Sequence, residues 1–505
     1  MQAHHLVSRL MSLSAQELGR TVFSWSGGSM TFGQLRERML RLAAWLRWAG
    51  IGSGERVSIC LPKSPEGVIA LYGILASGAA YVPIQFRGPP DRLNSILESV
   101  RPRLLITTPG MARLLATANA DVLHNVDLRA DGAGLDTALR GSEPLAGPVN
   151  VAADDLAWLI FTSGSTGEPK GVMLSHGAMT ENVEAMQRRD RMGPEDLRIS
   201  HAPMHYISAF DLLFPLVSGL RIFLLPEREA MFPERAAEVM ERQRATIWSS
   251  SATALRLLLE RGRLAERDLS AMRRISFYGE PMPMPALRQI MAVLPHIDFI
   301  NHYGATEIDS ITNYIVPRPL PDDLLRLPLG SPADYCEVTL RDESGQPVAD
   351  GDVGEICVVS LGVFSGYWAD PALTATRQLP GVPNSYRTGD FAVRDADGIL
   401  QPIGRHDQLV KIRGQRLDLG EVEAVLRQHP RVRDALAVAC GAPDMEIRAV
   451  VLSEGGPDLI AELKILGHRR LPIYGRPTRI VVLAQFPLLS TGKIDRQALR
   501  RIAEA

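Results

Sequence analysis

The sequence predicts an α/β protein, with a large N-terminal body of layered, mostly parallel sheets and helices and a small C-terminal α+β domain. Three observations carry that reading. Apolar, β-branched runs alternate with segments of helical period, the order that builds parallel sheets covered by helices. At 505 residues the chain is too long for one ordinary core. Near Gly404 the composition changes, separating residues 1–403 from a unit at 404–505 of a size that folds by itself.

The elements follow in order. Thr31-Phe-Gly-Gln34 has capping-box spacing, and Leu35, Met39, Leu42 and Leu46 hold helical period behind it. Residues 57–61 read as strand, 65–76 as helix, and 81–84 and 104–107 as strands. The apolar stretch 67–84 is broken by Gly73, Ser77, Gly78 and Pro83, so it reads as a buried helix running into a strand, not a membrane span. Residues 156–161 form a buried strand that empties into a loop of hydroxyls and glycines. Beyond it come helix 177–189, strand 221–225, helix 233–243, strand 245–249, helix 253–261, strand 274–278, helix 285–294 and strand 297–300. The C-terminal unit opens on a basic strand-turn region at 410–416. Helix 420–428, strands 434–439 and 448–453, a helix from about 458 and a basic tail complete it.

Composition narrows the function classes. Hydrophobic content of 46% and charged content of 22% belong to a soluble globular protein. A net charge of −2 without long runs of one sign argues against nucleic acid or an anionic membrane as the main partner. Cys60, Cys336, Cys357 and Cys440 lie far apart without a Cys-x-x-Cys pair, which reads as reduced thiols rather than a disulfide or zinc framework. No signal peptide is read at the N-terminus, so a cytoplasmic location is expected.

The chemistry concentrates in a few motifs. In Leu159-Ile-Phe-Thr-Ser-Gly-Ser-Thr-Gly-Glu-Pro-Lys-Gly171, glycines let backbone N–H groups approach an anion, hydroxyls donate, and a lysine supplies charge. Thr162, Ser163, Gly164, Ser165, Thr166, Gly167 and Lys170 thus form a candidate phosphate cradle. It is not a Walker loop, because Lys170 is followed by glycine. Asn301-His-Tyr-Gly-Ala-Thr-Glu307 follows a predicted strand, where ligands bind in open α/β sheets. Tyr386-Arg-Thr-Gly-Asp390 places a carboxylate after a glycine turn, and Gly492-Lys493-Ile-Asp-Arg496 places a lysine in the basic tail.

From about residue 30 to 498, these motifs, in this order, resemble the adenylate-forming superfamily of acyl-CoA synthetases, luciferases and nonribosomal peptide synthetase adenylation domains. Met30-Thr-Phe, Ala76-Ser-Gly-Ala-Ala-Tyr-Val-Pro-Ile84, Gly354-Glu-Ile356 and Gly366-Tyr-Trp368 match further signatures, read as structural. The resemblance implies activation of a carboxylic acid by ATP with Mg2+. It puts Tyr303 on adenine, Asp390 on the ribose with Arg405 as a second contact, and Thr306 on the phosphate side. Glu307 falls to the metal, with Gly279, Glu280, Asn301 and Gly304 also around the nucleotide. Lys493 becomes the catalytic lysine, holding the substrate carboxylate and α-phosphate as charge builds. The small domain is expected to be mobile, hinged at Asp407, with Gly414 lining a pantetheine tunnel after rotation.

Lys411-Ile-Arg-Gly-Gln-Arg416, Leu419-Gly-Glu-Val-Glu423 and Leu471-Pro-Ile-Tyr474 look more like amino-acid adenylation domains than acyl-CoA synthetases. No carrier-protein segment follows and no condensation-like region precedes, so the expectation is a free-standing enzyme loading a separate carrier protein in trans. Amino-acid-activating members hold the substrate's amino group with an Asp, usually in a Phe-Asp pair. Phe210-Asp211 is such a pair, but an ungapped alignment from Pro203 to Gly219 puts His205-Tyr206 there instead. Either Asp211 is the anchor after a local deletion, or the amino group is displaced, as in a β-amino acid. Thr253, Ser276, Tyr278, His302, Ser310 and Ile311 carry over as further pocket positions, a lining suited to a small or medium uncharged side chain. The other readings are an aryl- or acyl-acid ligase forming a CoA or carrier thioester, and a non-catalytic nucleotide-binding member of the fold.

Overall fold

The computed structural model describes residues 6–115, 142–162, 169–279, 282, 284–322, 324, 327–342, 344–405, 409–412, 414–441, 445–487 and 496–505. Two large sheets dominate residues up to Arg405. The first runs, in spatial order, through Gly366–Tyr367, Lys170–Ser175, Leu156–Thr162, Ala80–Pro83, Arg56–Cys60 and Leu104–Thr107. Its last four strands are parallel, as the alternation of elements predicts, whereas Lys170–Ser175 turns back antiparallel on Leu156–Thr162. The second has nine strands. Asp298–Ala305, Arg274–Tyr278, Ile247–Ser251, Leu197–Ser200, Arg221–Leu224 and Thr21–Trp25 are consecutive and parallel within it, and antiparallel hairpins close both edges.

The helices begin where local chemistry says they should. Thr31 accepts from the Gln34 amide while Gln34 accepts from Thr31, and the helix Phe32–Trp48 follows with Leu35, Met39, Leu42 and Leu46 buried. Ser64 caps Pro65–Ala76, every residue of which is buried between strand and helix, so its apolar run is core. Among the described residues no helix is long and apolar enough to cross a membrane. Cys60, Cys357 and Cys440 are buried, Cys336 is partly so, and none is in a disulfide.

Two features depart from the sequence reading. A third, four-stranded antiparallel sheet, Glu337–Arg341, Val353–Val359, Ser385–Arg394 and Leu400–Arg405, stands where only motifs were assigned. The strand expected at 297–300 also runs on as Asp298–Ala305. It therefore carries Asn301, His302, Tyr303 and Gly304 inside it and pairs with Ile308–Ile315 through a two-residue turn at Thr306-Glu307. Beyond Arg405, a two-stranded ribbon (Leu409–Ile412 with Gln415–Asp418) leads into helix Leu419–Arg427. A three-stranded sheet (Asp434–Cys440, Glu446–Leu452, Arg479–Leu483) follows, with its own core around Val422, Leu426, Val451 and Leu463.

Candidate active site

The hairpin Asp298–Ala305/Ile308–Ile315 is the wall on which the site is built. Side chains alternate across a strand, so neighbouring residues serve opposite faces. Tyr303 turns one way and donates its phenol to Asp390 Oδ2 at 2.5 Å. His302 turns the other way and stacks on Tyr278, ring centroids 4.7 Å apart. Only glycine fits at 304, because a Cβ there would lie 1.7 Å from the Asp309 carbonyl oxygen. Thr306 sits at the tip, between the two faces.

A cavity of about 1450 Å3 runs past both faces. Thr162, Gly304, Thr306, Thr388 and Asp390 line one part, and His205, Tyr206, Tyr278, His302 and Asp309 another. Asp390 is fixed from behind, its amide donating to Thr388 Oγ1 at 3.0 Å. The small C-terminal unit reaches the cavity through Gly414, Gln415, Ile473 and Tyr474. Gly414 has φ +77°, and a Cβ on it would lie 2.4 Å from Ser251 Cβ, so the turn is pressed against the large body. Beside it, Arg92 of helix Pro90–Val100 bonds Glu421 of helix Leu419–Arg427 at 2.5 Å, both side chains buried.

The site excludes water well enough to move titrations. Burial, with Arg92 nearby, pushes the His205 imidazole down to about 3, and burial with Lys63 and Arg198 does the same to His201. Both rings are therefore neutral. Burial also raises the Tyr278 phenol to about 12 and lowers the Lys63 ammonium to about 8.

Residues 12–368 match the family of AMP-binding enzymes. The chain belongs to the AMP-binding enzyme family. It is an AMP-forming ligase by that kinship. The L-proline–[L-prolyl-carrier protein] ligase of Streptomyces coelicolor is 33% identical over 512 residues, covering 96% of this chain and 94% of that one. The amide bond synthetase McbA of Marinactinospora thermotolerans superposes with a TM-score of 0.86 at 28% identity, covering 99% and 100% of the two chains. A dimodular nonribosomal peptide synthase of Bacillus subtilis is 34% identical over 479 residues, but the chain spans only 20% of its length.

In this AMP-binding enzyme, the expected nucleotide residues Gly304, Thr306, Asp390, Thr162 and Gly279 come together on the cavity, whereas Tyr303, expected on adenine, does not line it: its ring is buried in the core and its phenol is donated to Asp390. Asn301 does not line it; its amide donates to the Pro328 carbonyl at 2.9 Å. Lys170 heads its strand opposite Thr162 and Arg405 pairs in register with Asp390, its backbone alone being described. Glu307 is buried and accepts from the Tyr367 hydroxyl at 2.6 Å. Ser163, Gly164, Ser165, Thr166, Gly167, Glu280, Asp407 and Lys493 lie outside the described residues.

For the acid, His205, Tyr206, Tyr278 and His302 line the cavity as expected. Phe210 and Asp211 do not. Phe210 packs edge-on against Trp158, centroids 4.9 Å apart, and Asp211 is buried behind the wall against Ser200 and Arg198. Ser276 bonds Asp190, Ser310 bonds Asn313, and Ile311 is core. Thr253 is off the cavity, which its neighbours Ser251 and Ala254 line instead. The sequence reading passed over Lys63, His201, Glu227 and Asp309, all on the cavity wall. Asp309 comes two residues after the Tyr-Gly-Ala-Thr-Glu motif, the only acid in the strand that follows, and that was the available signal.

Proposed function

We propose that this chain activates a small amino acid with ATP as the acyl-adenylate, releasing pyrophosphate, and transfers it to the phosphopantetheine thiol of a separate carrier protein. One observation carries the reading. A single cavity joins Asp390, to which buried Tyr303 donates, to the Tyr278–His302 pair, with Thr306 between them and the Gly414 turn across it. Asp390 accepts ribose hydroxyls there, held in place by the phenol of buried Tyr303. The segment 162–167 with Lys170 receives the phosphates. Lys493 binds the carboxylate and α-phosphate, where preorganised charge lowers the barrier to in-line attack. Neutral His205 and the rings of Tyr206, Tyr278 and His302 enclose the acid and keep water from the adenylate.

Mg2+ takes hard oxygen donors, usually one or two carboxylates with substrate phosphates and water. Glu307, next to cavity-lining Thr306, has the donor chemistry, but in this structure its carboxylate is buried off the cavity and accepts from Tyr367, so it would have to turn outward to reach the ion. The ion, when bound, neutralises triphosphate charge.

The prolyl-carrier protein ligase, which the chain matches over nearly its whole length, supports carrier loading in trans. A second reading, an aryl- or acyl-acid ligase using CoA, is favoured by one observation: the position of the usual amino anchor holds Tyr206 rather than a carboxylate. ATP–pyrophosphate exchange over α-amino, β-amino, aryl and aliphatic acids, followed by transfer to CoA or to a phosphopantetheinylated carrier, separates the two. Exchange with an amino acid and transfer to the carrier are expected, and exchange with no acid overturns both. Lys493→Ala is expected to abolish exchange while ATP still binds. Exchange persisting in that variant would remove Lys493 from the chemistry.

A further inference from the structure

Behind the acid end of the cavity the charges are arranged in pairs. Arg189 donates twice to Asp190, Nε to Oδ1 at 3.0 Å and Nη2 to Oδ2 at 2.9 Å. Arg198 lies between two carboxylates, Nη1 3.9 Å from Asp190 Oδ2 and Nε 3.6 Å from Asp211 Oδ2. Asp211 also accepts from Ser200 Oγ at 3.1 Å, and Ser200 accepts from Lys63 Nζ at 3.2 Å. Asp190 and Asp211 thus each have a guanidinium and a hydroxyl against them.

Asp309 is arranged differently. It lines the cavity on the hairpin that carries His302, yet its Oδ2 is buried with no hydrogen-bond partner among the described residues. Arg189 and Arg198 act on it through space, but each is paired with another carboxylate, Asp190 or Asp211, and neither makes an ion pair with Asp309 among the described residues. A carboxylate oxygen buried without a hydrogen bond is costly, so such a group takes up either a proton or a cation. This one opens onto a substrate cavity.

We propose that Asp309 is the anchor for an ammonium group on the acid that is activated, in place of Asp211. The proposal rests on the acid-activating reading above and names its substrate class. Asp309 is three residues from Thr306 at the hairpin tip, a separation of at most about 10 Å even if fully extended. An ammonium on Asp309 and a carboxylate beside Thr306 therefore belong to one small molecule, with a few carbons between them. The stacked rings of Tyr278 and His302 limit what else that molecule carries. In this arrangement Tyr206 occupies the usual anchor position without penalty, because no ammonium is buried against it.

Asp309→Asn keeps the volume and removes the charge. In ATP–pyrophosphate exchange with the amino acid that the wild type prefers, KM for that amino acid is expected to rise at least about thirtyfold, as when a buried charge loses its partner. KM for ATP should stay as it was. The same acid without its amino group should serve the variant at least as well as the wild type. The wild-type chain supplies a measurement that does not depend on the variant folding. With the wild type, the preferred acid stripped of its amino group is expected to show a KM at least about thirtyfold above that of the amino acid itself, and equal KM values overturn the proposal. An unchanged amino-acid KM in a folded Asp309→Asn protein overturns the proposal. So does wild-type exchange confined to aryl or aliphatic acids, an outcome that leaves acid activation standing. Exchange with no acid at all overturns the activation reading and the anchor with it.

Discussion

Asp211 shows why a residue's identity and its placement are separate questions. Preceded by phenylalanine, it has the local context of an amino anchor, yet its carboxylate is raised by burial and held by Arg198, Lys63 and Ser200 behind the cavity wall. Its role there is to compensate cations. Asp211→Ala is therefore expected to cost stability, about 3 kcal/mol from uncovering buried Arg198 and Lys63, and to leave the acid KM within a few-fold of wild type. Thermal unfolding beside pyrophosphate exchange checks this, and a large KM effect in a protein of normal stability would return Asp211 to the pocket. The residues that were legible in the sequence, Tyr303, Gly304, Thr306 and Asp390, sit in runs whose order is itself a signal. Lys63 and His201, just past the strands Arg56–Cys60 and Leu197–Ser200, and Asp309, within Ile308–Ile315, were not legible, because a charged or polar residue in such a place ordinarily points to solvent. Only the packing of the neighbouring helix and strand turns it inward.

The element that organises the site is a hairpin, and its length was the part misread. Residues 301–305 contain a Tyr-Gly pair that reads as a turn. In the fold, Gly304 is instead the point where the strand meets the Asp309 backbone too closely for any side chain. The antiparallel sheet around Ser385–Arg394 was hidden in the same way, since Thr388-Gly389-Asp390 interrupts its alternation with turn chemistry. The short buried strand Leu197–Ser200 offers four residues, one of them an arginine, too little for periodicity to register. By contrast, Pro65–Ala76, Pro233–Gln243 and Arg274–Tyr278 were readable, because length and apolar period agreed, with Pro at the start of both helices. In the ribbon of the small unit, Gly414 combines a positive φ with contact to Ser251. Gly414→Val is expected to slow transfer to the thiol at least about tenfold, the price of misplacing a closing element, while pyrophosphate exchange is kept. Equal losses in both half-reactions would assign the turn to adenylation as well.

Across the whole molecule, the small unit is held to the large one by a buried ion pair and not by apolar packing alone. Arg92 and Glu421 are both nearly inaccessible, next to cavity-lining His205 and Tyr474. Any rotation of the small unit must part that pair and rehydrate both charges. Arg92→Met should remove the guanidinium that faces Glu421 in this arrangement, at a cost of up to about 3 kcal/mol, and shift the population away from it. Small-angle scattering of the nucleotide-free protein reads the shift as a larger radius of gyration, and an unchanged profile would mean that the pair does not hold the units together. Sequence order shows two units through the break in composition. It does not show which surfaces meet, because Arg92 and Glu421 are 329 positions apart and neither stands out locally.

The alternation of His302 and Tyr303 along one strand has an evolutionary corollary. Under the proposed assignments, one wall serves two molecules, and consecutive codons act on different sides of it. Drift at 302 or 309 would retune the choice of acid without loosening the Tyr303–Asp390 bond that fixes the carboxylate assigned to the ribose. A lineage, or a directed-evolution library confined to alternate positions of this hairpin, can therefore explore new acids while the energy-coupling half of the reaction is inherited intact.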